Sequence, residues 1–239
     1  MLKFISTPKE IHLTQIKNWL IEEWNKKNEG FLVQWDLIEK SFYNNDLLIF
    51  SKDNEAIGFI VYTQYTFSLS IDILEIKPCE RKKGIAKKFT SEVFKYFKSK
   101  KTLVIELFCE PKSSESFWKR IGFLNFPKSK RDNRIRMYKT LIEHQEDSLK
   151  KSNTTLKLWF DEPHRTKDKE PNKIWNINFL DDGENLKHPI IFPVEYDWKI
   201  ELFRNNVKIV SNKIKRFLYD SGDFEGFLIV KKITLPPTK

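Results

Sequence analysis

The chain has 239 residues, 40% hydrophobic and 32% charged, which is enough apolar mass for a buried core and excludes a disordered polymer. Its formal charge of +10 is uneven: residues 1–141 hold 26 basic against 17 acidic side chains, and 142–239 hold 17 against 16. No apolar run approaches the ~18–20 residues of a bilayer span, the first ten residues lack a signal-peptide core, and Cys79 and Cys109 are too few for a disulfide framework or a zinc site.

In chain order, Thr7-Pro8-Lys9-Glu10 predicts a helix start, with Thr7 as N-cap, Pro8 at N1 and Glu10 closing a capping box. Leu13, Ile16, Leu20 and Trp24 carry that helix to about residue 27. A shorter helix follows over Trp35–Tyr43. Strands are expected at Leu47–Ser51, Ile57–Tyr65 and Phe67–Lys77, the last closed by Pro78. Ile85, Phe89, Val93 and Phe97, four apart, predict an amphipathic helix whose other face is lysine-rich. A strand over Thr102–Cys109 leads to a short helix carrying Phe117 and Ile121, with Gly122 at its C′ end. Strands at Phe123–Phe126 and Ile135–Leu141 flank a basic loop within KSKRDNRIR (128–136).

Polar HQEDSLKKSNT predicts a linker at 144–154, separating a domain at 1–143 from a β-rich domain at 155–239. That second domain contains TLKLWF, KIWNINF, HPIIFPV, and KIELF and VKIV joined at Asn205-Asn206, which suit a hairpin turn. No residue pattern in it points to chemistry.

The sharpest local pattern is IKPCERKKGIAKKF (76–89). A strand ends, a basic loop follows, and a helix opens at Gly84, so unpaired N–H groups and a positive dipole end face any anion that approaches. Arg81, Lys82 and Lys83 supply charge, and Gly84 permits close backbone approach. The plain structural alternative is a βα turn whose lysines are solvated. His12, His144, His164 and His188 have no metal-ligand spacing.

Arg81, Gly84 and Ala86 after a strand ending in Ile76-Lys77-Pro78 resemble the Q/R-x-x-G-x-G/A loop of GCN5-related N-acetyltransferases (GNAT). Ser114, Phe117, Trp118, Gly122 and Phe123 resemble a second segment of that family, S-x-x-F-[YW]-x-x-x-G-F, and the element order β-α-α-β-β-β-α-β-α-β-β agrees with its fold. The resemblance covers roughly residues 1–141. It implies an α+β domain with a mixed central sheet and flanking helices, the β-rich domain following. It also implies a bulged strand before the loop, splayed from its neighbour to form a V-shaped cleft for acetyl-CoA as co-substrate, without a metal. The pyrophosphate would lie on Arg81, Lys82, Lys83, Gly84, Ile85, Ala86 and Lys87. Backbone amides near Leu74 and Ile76 would bind pantetheine and polarise the thioester carbonyl, with Trp118 beside them.

An amine would attack the thioester directly. A lysine-like amine is only about 0.04% neutral at pH 7, so a base is valuable. Glu106, in mid-strand, and Glu75, at the expected bulge, are the candidates, with Asp72 a third on the opposite strand face from Glu75. The sequence departs from the family's frequent tyrosine at Trp118 and from its frequent asparagine at Pro111; an indole N–H is no acid near neutral pH. Protein amine, small amine and charged tRNA all stay open as acceptors, with the basic field and the second domain tilting towards a macromolecule; the loop 128–136 would suit an anionic acceptor or nucleic acid, a solvated hairpin loop being the plainer reading, and the protein is expected to be cytoplasmic with no membrane partner. The alternative is an inactive GNAT-fold protein that binds CoA or nucleic acid.

Overall fold

The computed structural model describes residues 1–128, 133–146, 152–221 and 226–234, with side chains in the third segment as far as Phe217. Two compact units emerge: residues 1–125 with 134–141, and 126–133 with 142–239. The hairpin loop 126–133 thus groups with the second unit. The centres of that loop (129–132) and of the expected linker (147–151) lie outside the described residues.

The first unit is built on a seven-stranded sheet of order β1-β2-β3-β4-β5-β7-β6. Its strands are β1 (Leu2–Ile5), β2 (Leu47–Lys52), β3 (Glu55–Gln64), β4 (Ser68–Ile76), β5 (Val104–Phe108), β6 (Leu124–Asn125) and β7 (Arg136–Thr140). Its helices are α1 (Glu10–Lys27), α2 (Trp35–Tyr43), α3 (Ile85–Ser99) and α4 (Glu115–Arg120). All pairs are antiparallel except β4 with β5.

Two apolar layers clamp this sheet. α3 lays Ile85, Phe89, Val93 and Phe97 on one face with Leu48, Phe50, Ile60, Leu69 and Ile71. The four-residue spacing keeps these side chains on a single stripe, which is why the lysines end on the other. α1 and α2 cover the opposite face through Ile16, Leu20 and Ile38, packed on Leu47, Ile49, Phe59 and Ile73. α1 starts later than the sequence suggests: its N-cap is Lys9 rather than Thr7, and Nδ1 of His12 accepts the Lys9 N–H at 3.0 Å.

β4 carries a bulge. Its register with β3 shifts where Val61 faces Ile73 and Tyr62 faces Ile71, leaving Asp72 as the extra residue. The side-chain phase flips there. Leu69 and Ile71 lie under α3, Ile73 turns to the α1 face, and Leu74 and Ile76 return to the α3 side. The bulge is therefore at Asp72, not at Glu75, because an inserted residue changes which face every later residue meets. Beyond it β4 and β5 part, since their parallel pairing runs only from Ser68–Val104 to Ile71–Leu107.

The second unit holds a four-stranded antiparallel sheet and a two-stranded one over a common core. The first has the order β12-β11-β8-β9, made of β8 (Thr154–Trp159), β9 (Lys173–Asn176), β11 (Lys199–Arg204) and β12 (Val207–Lys213). The second pairs β10 (Asn185–Pro193) with β13 (Phe227–Lys232), and α5 (Ile214–Ser221) precedes β13. Asn205 and Asn206, both left-handed (φ 50° and 64°), turn the β11–β12 hairpin. No helix among the described residues is long and apolar enough to cross a membrane.

Phe89 is fully buried and stacks on Phe50 with ring centroids 5.1 Å apart. Phe89→Ala should therefore cost about 3–5 kcal/mol, read as a lower denaturant midpoint at an unchanged slope.

Candidate active site

The site begins at the start of α3. Gly84 caps the helix in the left-handed region (φ 76°), and no side chain caps the first turn. A Cβ at Gly84 would meet nothing within 4 Å, so the helix end opens to space. Lys82 is also left-handed (φ 62°). These residues border a pocket of about 350 Å³, lined by Ile76, Glu80, Arg81, Lys82, Gly84, Ile85, Ala86 and Lys87 from the loop and by Phe117, Arg120 and Ile121 from the α4 region; its one carboxylate, Glu80, is paired with Lys52 and Lys83. Among the described residues no carboxylate pairs with Lys82, Lys87 or Arg120. The pocket is thus a basic, amide-lined cradle of the kind that holds phosphate.

A second cavity of about 800 Å³ occupies the gap where β4 leaves β5. It shares Arg81 and Phe117 with the first. Leu74, Glu75 and Trp118 line it, as do Asp72 at the bulge and Pro111 after β5. Trp118 is buried, edge-on to Phe123 at 5.0 Å.

Arg81 is engaged by carboxylates of the protein itself. Its guanidinium grips Glu23 of α1 bidentately (2.7 and 2.9 Å) and bonds Glu75 at 2.8 Å, while Nε donates to the Ile76 carbonyl at 2.8 Å. The side chain expected to face a ligand is thus held by the buried Glu23 and the partly buried Glu75, while Arg81 still lines both pockets. Lys83 lines neither cavity and reaches Glu80 at 3.4 Å. The Ile76 amide, expected to bind pantetheine, already donates to Oε1 of Glu75 at 2.9 Å.

The two expected bases differ. Burial pushes the Glu75 carboxyl above its ordinary range, against the pull of Arg81, and the nearby Glu23 charge adds to the rise. Glu106 lies on β5 opposite Tyr138, bonds Arg136 at 2.6 Å and lines neither cavity. Arg136 and Arg134 also sit over the Phe108 ring, at 5.3 and 4.1 Å from its centre. Asp72 is exposed and accepts hydrogen bonds from Thr63 Oγ1 (2.7 Å) and Ser70 Oγ (2.9 Å).

Glu23 and Arg120 escaped the sequence reading, and Phe117 was named there as a helix and motif residue but not as part of the site. Glu23 falls three residues after Leu20 on the buried stripe of α1, and a carboxylate on an apolar stripe signals a hidden cation. Phe117 and Arg120 share a face of α4 by their i, i+3 spacing, a signal that was available.

Residues 13–123 match the family model described as acetyltransferase (GNAT) family. A GNAT acetyltransferase domain thus spans residues 13–123, within the first unit. No curated protein matches the sequence. Among solved structures the chain is similar to the PaiA N-acetyltransferase from Thermoplasma acidophilum in complex with coenzyme A, at 20% identity over 59% of this chain and 99% of that one, TM-score 0.45. An aminoglycoside 6′-N-acetyltransferase complexed with coenzyme A is similar at 15% identity over 61% and 99%, TM-score 0.48. So is Ard1 from Thermoplasma volcanium, at 15% over 59% and 99%, TM-score 0.46. Among the described residues of the GNAT domain and of the second unit, no group of three or more His, Cys, Asp or Glu side chains is placed to hold a metal ion.

Arg81→Ala should strand Glu23 and Glu75 without their cation and destabilise the GNAT domain by about 3 kcal/mol, whereas Lys87→Glu should leave its denaturant midpoint nearly unmoved. Equal midpoints for the two variants would contradict the inward role of Arg81.

Proposed function

We propose that the protein is an N-acetyltransferase that moves the acetyl group of acetyl-CoA to an amine nitrogen. The observation that carries this is the uncapped start of α3 opening onto a basic pocket, which shares Arg81 and Phe117 with the cleft between β4 and β5. Acetyl-CoA supplies an activated acyl carbon on a thiolate leaving group. The N–H groups at Gly84, Ile85, Ala86 and Lys87 hold its pyrophosphate, and Lys82, Lys87 and Arg120 add the charge. Leu74 and Trp118 wall the pantetheine path.

The amine lone pair forms the N–C bond, the C–S bond breaks with its electrons on sulfur, and the nitrogen's surplus proton goes to a base. Glu75 is the base the reading favours, because it lines the cleft and its raised pKa shortens the gap to an ammonium. Its Oε1 is held by the Ile76 amide and Arg81, which fixes the carboxylate in place. Glu106 is better read as a structural partner of Arg136.

Acetyl-CoA at 100 times its dissociation constant should stabilise the protein by about 2.7 kcal/mol, read as a thermal shift, and an amine should then release free thiol. No shift and no thiol with any amine would refute the reading. Lys82→Glu with Lys87→Glu should raise KM for acetyl-CoA about tenfold or more, as expected for lost phosphate contacts.

Glu75→Gln keeps an acceptor for the Ile76 amide but removes the base, so kcat should fall about 100-fold or more. A base works only when ionised, and the Glu75 pKa is raised. The wild-type kcat should therefore decline with acid at a pH above the ordinary carboxylate range, and the variant should lose that limb.

A further inference from the structure

We propose that Glu23 of α1 is a positioning residue for acetyl transfer: it holds the Arg81 guanidinium off one oxygen of Glu75, so that this oxygen can take the proton of the attacking amine; this rests on the acetyl-transfer reading with Glu75 as its base. Both oxygens of Glu23 are engaged, Oε1 by Nη1 of Arg81 at 2.7 Å and Oε2 by Nη2 at 2.9 Å. Glu75 is held by one oxygen alone. Its Oε1 accepts from Nη2 of Arg81 at 2.8 Å and from the Ile76 amide at 2.9 Å, and among the described residues no donor reaches its Oε2.

A proton that reaches this cluster therefore finds one place where it breaks no bond, Oε2 of Glu75; on Glu23 it would displace an Arg81 N–H. Both residues border the larger cavity, but the Glu23 side chain is 2% exposed and that of Glu75 14%. Backbone closes over Glu23, since a Cβ at Gly30 would lie 3.1 Å from its Oε2. In the transfer the amine nitrogen bonds the acetyl carbon, its surplus proton passes to Oε2 of Glu75, and the C–S electrons leave on sulfur.

Charge explains why a second carboxylate is needed. Arg81 alone beside Glu75 would favour its ionised form and leave it a weak base. Glu23 takes up two of the guanidinium's contacts and adds a like charge, so the three ionised groups sum to one negative charge. Burial raises the Glu75 pKa, Arg81 opposes the rise, and Glu23 adds to it. Among the described residues no second cation is in contact with Glu75. It pairs with Phe59 on β3, and β5 contributes Leu107 and Phe108 across the gap. Lys77 is paired with Glu55, Lys52 and Lys83 are paired with Glu80, and Glu22, Lys26 and Lys27 on α1 are exposed. Glu29, Asp72 and Glu110, which also line the cavity, are carboxylates themselves.

The test follows the side-chain carboxyls of the full chain by carbon NMR, and thiol release from acetyl-CoA with n-pentylamine, which titrates at about pH 10.4 as a lysine side chain does. In the wild type Glu75 should take up its proton first as the pH falls, with Glu23 still ionised; the reverse order overturns the proposal and needs no variant. Glu23→Gln should lower the Glu75 midpoint and the acid limb of kcat together by about one pH unit or more. Glu23→Asp keeps the charge, so both should stay within about half a unit of the wild type even where its denaturant midpoint falls, a pattern that a merely structural role would not give. A Glu75 midpoint unmoved in Glu23→Gln, or a limb that does not follow it, overturns the proposal while acetyl transfer stands. A limb that survives Glu75→Gln overturns it together with the assignment of the base. No thermal shift with acetyl-CoA and no thiol from any amine overturns the transfer reading as well.

Discussion

Two parallel strands that stay together for four residues and then part determine the rest of the first unit. β4 and β5 pair from Ser68–Val104 to Ile71–Leu107 and no further. A sheet that opens in its middle exposes backbone that would otherwise be paired, and an apolar core cannot tolerate that without a polar occupant. The bulge at Asp72 coincides with the end of pairing, so one inserted residue both ends the ladder and turns Glu75 toward α1. Had the strand kept its phase, Glu75 would lie on the α3 side, away from Glu23, and Arg81 would have no second carboxylate to meet.

The Arg81 cluster ties the two layers of the domain together. It joins α1 through Glu23, β4 through Glu75 and the Ile76 carbonyl, and the loop that starts α3 through its own backbone. Burying two carboxylates around one cation is tolerable only because the guanidinium offers enough donors in a fixed fork. Gly30 fits the same arrangement: its φ of 99° suits glycine, and a Cβ there would come within 3.1 Å of the Glu23 carboxylate.

Much of the fold was legible because the information is periodic. The α3 stripe, the Asn205-Asn206 turn and the strand runs depend on neighbours a few residues away. The helix start that borders the smaller pocket was legible for a similar reason, since Gly84 and the uncapped first turn are local. The fate of side chains was not. Arg81 and Glu23 are 58 residues apart, and Glu106 and Arg136 are 30 apart, so no spacing rule links either pair. The bulge was hidden in SLSIDILEI, where plain alternation hides a slip of one residue; the lone aspartate among aliphatics was its trace.

Charge shows the same division between local and global. A chain of net charge +10 folds so that Lys82, Lys87 and Arg120 line the smaller pocket, while carboxylates from separate segments line the larger one. At physiological salt, exposed charges more than about 8 Å apart hardly feel one another, so the sum over a chain says little about the potential inside one cleft. The cluster of Arg81, Glu23 and Glu75 lies where the two cavities meet, because both are lined by Arg81 and its guanidinium is already paired with carboxylates. The loop arginine thus separates the two fields, whereas a solvated one would have carried the positive field into the acidic half.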